Sequence, residues 1–302
     1  MPWTPNDMPN LDGQTAIVTG ANGGIGFHTA HILASKGAHV VMACRNMEKA
    51  ERAIDTLQSE LPSAKAELSP LDLADLDNVK AFCDRFKQDH QALDLLVNNA
   101  GIMIPPHTLT KAGHEIQFAT NHLGHFALTG HLLDRLVQAP AARVVTVSSL
   151  AHNWGKIRFD DLHWEKKYNM WGAYGQSKLA NLLFSFELDK RLRSSGCSAR
   201  ALTAHPGFTA TDITRESTWM HKGMPLVAQS AALGAWPTVR AATDPDAEGG
   251  TYWGPRWCFQ IWGSPKQVGC TRAARNPNTA NRLWDVSESL TEVRYAFPEP
   301  TG

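Results

Sequence analysis

The sequence predicts an α/β fold: one doubly wound domain whose central, mostly parallel seven-stranded sheet is flanked by helices. Two observations carry this expectation. Short β-branched and apolar runs alternate with amphipathic stretches along the chain, the rhythm of a parallel sheet joined by crossover helices. The first such run is followed at once by a glycine-dense turn and a helix. The 302 residues are 43% hydrophobic, enough to bury one large core. No repeat, linker or composition shift divides the chain. A single domain over 1–302 is expected, with a core of about 11–255 and an extension of about 256–302.

The charge balance narrows the function classes. Lys plus Arg and Asp plus Glu both number 29, so the formal net charge is zero. That argues against nucleic acid or an anionic membrane as the main partner. The cysteines Cys44, Cys83, Cys197, Cys258 and Cys270 are odd in number, scattered and without C-x-x-C spacing. They read as reduced thiols. The segment Met1 to Asp12 has no apolar run of signal-peptide or membrane-helix length, so a cytoplasmic protein is expected.

The first strand, Gln14 to Thr19, runs into Gly20-Ala21-Asn22-Gly23-Gly24-Ile25-Gly26 and a helix to about Lys36. Strand, glycine loop and helix form the context of a dinucleotide fingerprint. Glycines allow the tight turn and the approach of backbone to a pyrophosphate, which the helix N-terminus faces with free N–H groups. The second strand, His39 to Ala43, ends in Cys44 and Arg45, where an acid reading a free ribose 2′-OH is expected. Arginine there suits a 2′-phosphate, so NADP(H) is expected over NAD(H).

A helix from Asn46 to Leu61, a strand at Ala66-Glu67-Leu68, and Leu71-Asp72-Leu73 at a strand end follow. Asp72 either accepts from an adenine amino group or caps the next helix, near Asp75 to Asp89. Leu93 to Val97 is a buried-type strand, ending in the small and amide residues Asn98-Asn99-Ala100-Gly101. Lys111 to Gln138 reads as a long helical region. His122 and His125 share a face there, but no third ligand has metal spacing, so no metal site is expected. Asn121 is unfavourable inside a helix and invites a functional reason.

Arg143 to Val147 is the next strand, with Ser148 and Ser149 at its carboxyl end, the edge where ligands bind in open parallel sheets. An aromatic insertion, residues 151–171, precedes a helix to about Arg193. Tyr174 and Lys178 lie four apart on it, so the ammonium sits beside the phenol and favours its ionised form. That pair is a general acid/base. A sixth strand, Arg200 to Ala204, ends in His205-Pro206-Gly207-Phe208-Thr209, where a turn followed by hydroxyls suits a carboxamide. Asp212 to Pro225 reads as a lid. A helix from Leu226 to Thr243, a last strand at Gly250 to Trp253, and a tail with one helix near Asn276 to Leu290 complete the chain.

These pieces, in this order, resemble the short-chain dehydrogenase/reductase family, whose domain is of the Rossmann type. The matching residues are Thr19-Gly20-x-x-x-Gly24-Ile25-Gly26, Asn98 to Gly101, Asn121, Ser148-Ser149, Tyr174-x-x-x-Lys178 and Pro206-Gly207. Asn121-His122-Leu123-Gly124-His125-Phe126, Ser148 to His152 and the insertion point to its retinol dehydrogenase-like branch. That branch's usual N-terminal anchor has no counterpart, so a retinoid substrate does not follow. The resemblance implies Tyr174 as acid/base, Lys178 lowering its pKa and holding the nicotinamide ribose, and Ser149, rather than Ser148, on the substrate oxygen. It implies that Asn121 holds a relay water. The expected cofactor set is Gly20, Asn22, Gly23, Gly24, Ile25, Gly26, Arg45, Asp72, Leu73, Asn99, Ala100, Gly101, Tyr174, Lys178, Pro206, Gly207 and Thr209. Ser149, Phe208, Trp219 and the insertion are expected at a fairly apolar substrate.

The expected reaction interconverts an alcohol and an aldehyde or ketone. An NADP(H)-binding sensor without turnover and a carbon–carbon double-bond reductase are the alternatives. A homo-oligomer, dimer or tetramer, is expected from the resemblance, through a helix bearing Leu182, Phe184, Phe186 and Leu188.

Overall fold

The strands form where β-branched and aliphatic residues fill consecutive positions, because both faces of this sheet are covered. In the computed structural model, which describes residues 2–209 and 229–299, these are β1 (Thr15–Thr19), β2 (His39–Cys44), β3 (Ala66–Pro70), β4 (Leu95–Asn98), β5 (Arg143–Val147) and β6 (Arg200–Ala204). β7 (Tyr252–Trp257) and β8 (Trp262–Gln267) complete one sheet in the order β3-β2-β1-β4-β5-β6-β7-β8. All neighbours pair in parallel except β7 and β8.

The sheet therefore has eight strands, not the expected seven. The extra antiparallel strand comes from the tail and closes a hairpin through Cys258, Phe259 and Gln260. All three have positive φ and none is glycine, so the usual hairpin signal is missing from the sequence.

Side-chain alternation along the strands divides the core into two layers. Ile17, Val41, Leu96 and Val144 face one layer; Ala16, Val18, Val40, Met42 and Val145 face the other. The first layer is covered by α3 (Leu76–Asp89), by α5 (Gly124–His131) and α6 (Leu133–Gln138), and by α7 (Met170–Ser194) and α9 (Pro277–Thr291). The second is covered by α1 (Gly24–Ser35), α2 (Met47–Glu60) and α8 (Ala231–Thr243). α3 shows the logic. Val79, Phe82, Cys83 and Phe86 share its inner face and are buried. Each large apolar side chain there contributes roughly 1.5–3 kcal/mol of burial.

The long helical region expected from Lys111 is shorter and interrupted. Residues 111–113 form a turn, and the helix begins as α4 (Ile116–Phe118), capped by the Glu115 carboxylate, which accepts from Phe118 N at 2.8 Å. It passes through a π-helical turn, Ala119–Leu123, before α5. The π turn is centred on Asn121, and such turns recur at functional sites. α8 starts at Ala231 behind a Ser230 cap, later than the expected Leu226. Asp75, not Asp72, caps α3, accepting from the amides of Asp77 and Asn78. The Asp72 carboxylate instead accepts from Ala74 N at 3.0 Å, closing a local turn.

Leu182, Phe184 and Leu188, offered for pairing with a second copy, lie in the chain's own core. Phe186 packs under the Arg275 guanidinium at 3.7 Å. No helix among the described residues is long and apolar enough to cross a membrane. The expected lid lies outside the described residues.

Candidate active site

The carboxyl ends of β1, β4, β5 and β6 open together, and between β1 and β4 the strand order reverses. A ligand crevice belongs at such a switch point. A cleft of about 630 Å³ occupies it.

One end of the cleft is the glycine loop. α1 starts at Gly23 with no side-chain cap, so its first amides face the cleft, lined by Gly20, Asn22, Gly23, Gly24, Ile25 and Gly26. A Cβ on Gly26 would overlap the Gly20 carbonyl oxygen and meet the Asn99 amide, so helix, loop and β4 close up only around glycine. Asn99 holds that contact, donating from Nδ2 to Thr19 O at 2.8 Å. The Thr19 hydroxyl accepts from Asn99 N and Ala100 N, both at 2.9 Å.

Arg45 and Asp72 line the same end, with Leu73, Ala100 and Gly101 beyond. Burial pushes the Cys44 thiol up to about 11, so it adds no negative charge beside Arg45. Exposed Arg45 has no ion-pair partner among the described residues. Uncapped amides, a cation and no acid at the β2 end fit a phosphate-rich dinucleotide.

At the other end, Tyr174 and Ser149 line the cleft together, and the Ser149 side chain favours the ionised phenol. Ser149 lies two residues beyond β5 and caps a short 3₁₀ helix, Leu150–Trp154. Its neighbour Ser148 is occupied elsewhere: its hydroxyl donates to Lys178 O at 2.7 Å. Lys178 Nζ lies 5.7 Å from the centre of the Tyr174 ring and donates to Val147 O at 3.2 Å. The expected depression of the tyrosine is not what this geometry gives. Burial pushes Tyr174 up to about 12 and Lys178 down to about 8, because lost hydration disfavours each charged form.

Asn121 stands behind the cleft wall. Its Oδ1 accepts from Ile102 N at 2.8 Å, and its Nδ2 donates to Ile102 O at 3.0 Å and to Ser177 Oγ at 2.9 Å. Its amide is thus fastened to the strand-end loop and to α7. Gly101 packs against both the Asn121 amide oxygen and the Lys178 ammonium. Pro206, Gly207, Phe208 and Thr209 close the cleft from β6. Trp219 lies outside the described residues.

A family model described as short chain dehydrogenase matches residues 14–221. The chain belongs to the short-chain dehydrogenase family. Mouse retinol dehydrogenase 12 is 41% identical over 290 residues, covering 94% of this chain and 88% of the relative. Human retinol dehydrogenase 13 is 39% identical over 292 residues, covering 93% and 85%. A crystal structure of an uncharacterised protein from Mycobacterium paratuberculosis has 42% identity and a TM-score of 0.84, covering 98% of this chain and 100% of that one. A short chain dehydrogenase from Shigella flexneri complexed with NADP shares the fold at 23% identity, with a TM-score of 0.64 over 82% of this chain and 98% of that one.

This short-chain dehydrogenase/reductase is an oxidoreductase that acts on an alcohol and its carbonyl counterpart, and its family binds a nicotinamide dinucleotide. All the residues expected at the cofactor line one cleft with Ser149 and Phe208. Asn121 stands behind it. Sequence reading missed Lys49 and Asn46, which line the Arg45 end, and Met103 at the Tyr174 end, where Trp154 and Trp171 of the insertion also line the cleft. Lys49 lies in the first turn of α2, four residues after Arg45. Trp154 and Trp171, at the two ends of the insertion, meet through a 3.3 Å hydrogen bond from Trp154 Nε1 to Trp171 O. Only folding brings those ends together. The rings of His122 and His125 are also spent internally, on Ser287 Oγ at 2.8 Å and on Thr19 Oγ1 at 2.9 Å.

Proposed function

We propose that this enzyme uses NADP(H) in preference to NAD(H), with Tyr174 as the acid/base, to interconvert a fairly apolar alcohol and its aldehyde or ketone. The observation that carries this is that Tyr174, Ser149 and Lys178 line the same cleft as the uncapped amides of α1. The cofactor, when bound, supplies or takes the hydride. Everything else falls to the chain. Ser149 and Tyr174 donate to the substrate oxygen as negative charge grows on it, and Tyr174 delivers the proton. Lys178 holds a positive charge beside the phenol and orients the ribose. Asn121, bound to Ile102 and Ser177, positions the wall that carries Lys178 and completes a water relay.

Arg45, supported by Lys49, reads the 2′-phosphate; Asp72 and Leu73 hold the adenine, and Pro206, Gly207 and Thr209 hold the carboxamide. Met103, Trp154, Trp171 and Phe208 give the substrate end its apolar character, which suits a hydrocarbon-bearing substrate such as the retinol named in its relatives. A cytoplasmic location is supported by five free thiols. Pairing with a second copy is supported by the family resemblance, and light scattering showing a monomer would remove it.

The test is turnover of NADPH with apolar aldehydes and ketones, and of NADP+ with the matching alcohols, on wild type and Tyr174→Phe. Loss of turnover in the variant with NADPH binding intact supports the reading. Full activity in the variant sinks it. Reduction of enones at carbon rather than oxygen favours the double-bond reductase instead.

A further inference from the structure

We propose that Gln260, in the β7–β8 turn, is a positioning residue for the Pro206–Thr209 wall of the cleft and acts on it through His205. The claim rests on the cofactor reading of that wall given above.

The hydrogen bonds fix the direction of the link. Gly207 N is a donor, so His205 Nδ1 must accept from it, at 3.2 Å. The proton of the neutral ring is then on Nε2, which donates to Gln260 Oε1 at 3.0 Å. His205 is fully buried, so water does not take the place of either partner. Its ring packs on Tyr252, with centroids 5.0 Å apart. Burial drives its pKa down to about 3, which keeps Nδ1 free to accept.

The surroundings are shaped to this ring. A Cβ on Gly254 would overlap His205 Nε2. Gly207 has φ of +71, and a Cβ there would strike the Ile261 carbonyl. Phe208 N donates to that same Ile261 carbonyl at 3.2 Å. Two successive residues of the turn, Gln260 and Ile261, thus hold two successive residues of the wall.

The turn adopts a costly backbone to do so. Cys258, Phe259 and Gln260 have φ of 45°, 55° and 67°. Consecutive left-handed residues without glycine persist only where the surroundings over-determine them. Here the conformation sends Phe259 outward, 93% exposed, and Gln260 inward onto His205. A turn needed only to reverse the chain gains nothing from that arrangement.

Gln260→Met keeps the length of the side chain and removes the acceptor; Gln260→Glu restores an acceptor; Phe259→Ser changes the same turn at a side chain that faces solvent. Each is compared with wild type by hydrogen exchange at the Gly207 amide in cofactor-free protein, by NADPH affinity and by melting temperature. Gln260→Met is expected to speed Gly207 exchange and weaken NADPH binding, each by roughly fivefold, the worth of one ordinary hydrogen bond. Gln260→Glu recovers both and Phe259→Ser changes neither, with melting temperatures alike throughout. Unchanged Gly207 exchange in Gln260→Met beside tight NADPH binding overturns the role of Gln260 alone. So does a Gln260→Glu variant no better than Gln260→Met. Faster exchange in a protein whose wild type binds no dinucleotide overturns the cofactor reading of the wall, and the role of Gln260 with it.

Discussion

The Lys178 ammonium lies 5.7 Å from the centre of the Tyr174 ring, and burial moves the two groups in opposite directions, toward about 8 and about 12. Lysine is charged below its lowered pKa and loses its charge above it. The phenol stays protonated until far into alkali.

A pH profile follows from those directions. Carbonyl reduction needs the protonated phenol and the charged lysine, so kcat/KM is expected to be level from about pH 6 to 8 and to fall above about 8. Alcohol oxidation needs the phenolate and is expected to climb through the same alkaline range. Initial rates in both directions check this; a reduction profile level to pH 10 would remove the charge of Lys178 from the mechanism.

Tyr174→Phe removes the proton donor and leaves the ring that packs in the cleft. Reduction is expected to slow by about 10² to 10⁴, the usual worth of a positioned acid. NADPH binding, read by fluorescence titration, is expected to be unchanged. A slowing of less than tenfold would reassign the proton.

Arg45→Asp replaces a cation at the β2 end with an anion where a 2′-phosphate is expected. NADPH affinity is expected to fall by roughly ten- to a hundredfold, in keeping with the worth of a charge-assisted hydrogen bond. NADH affinity is expected to rise or hold. Unaltered NADPH affinity would place the phosphate elsewhere.

Gly26→Ala puts a methyl group against the Gly20 carbonyl and the Asn99 amide. Neither can move without breaking the contact of β1 with β4, so a loss of about 1–3 kcal/mol is expected, as for overpacked cores. Thermal unfolding measures it, and dinucleotide affinity should fall in parallel. A variant as stable as wild type would show that the loop can open without cost.

The sequence alone determined the order of β1 to β7 and of most helices between them, because β1, β2, β4 and β5 are nearly continuous apolar runs and α2 and α3 each carry a buried apolar face and an N-cap. It also determined the chemistry-bearing positions that spacing fixes locally: the glycine loop, Arg45 after β2, Ser149 at the end of β5, and Tyr174 with Lys178 on one helix face. Only the tertiary structure decided what depends on distant contacts. It tied the Ser148 hydroxyl to the Lys178 carbonyl. It gave the α3 cap to Asp75, settling against Asp72 a role the sequence left open, and put a π-helical turn at Asn121 before α5. It packed Leu182, Phe184 and Leu188 of α7 into the chain's own core. It reversed the expected shift of Tyr174, because local spacing sets which groups are neighbours while the packed surroundings set how much water each one loses. It also added β8 and brought Gln260 onto His205, 55 residues apart in sequence. A turn of three left-handed, non-glycine residues has no local signature; it holds only because the rest of the fold holds it.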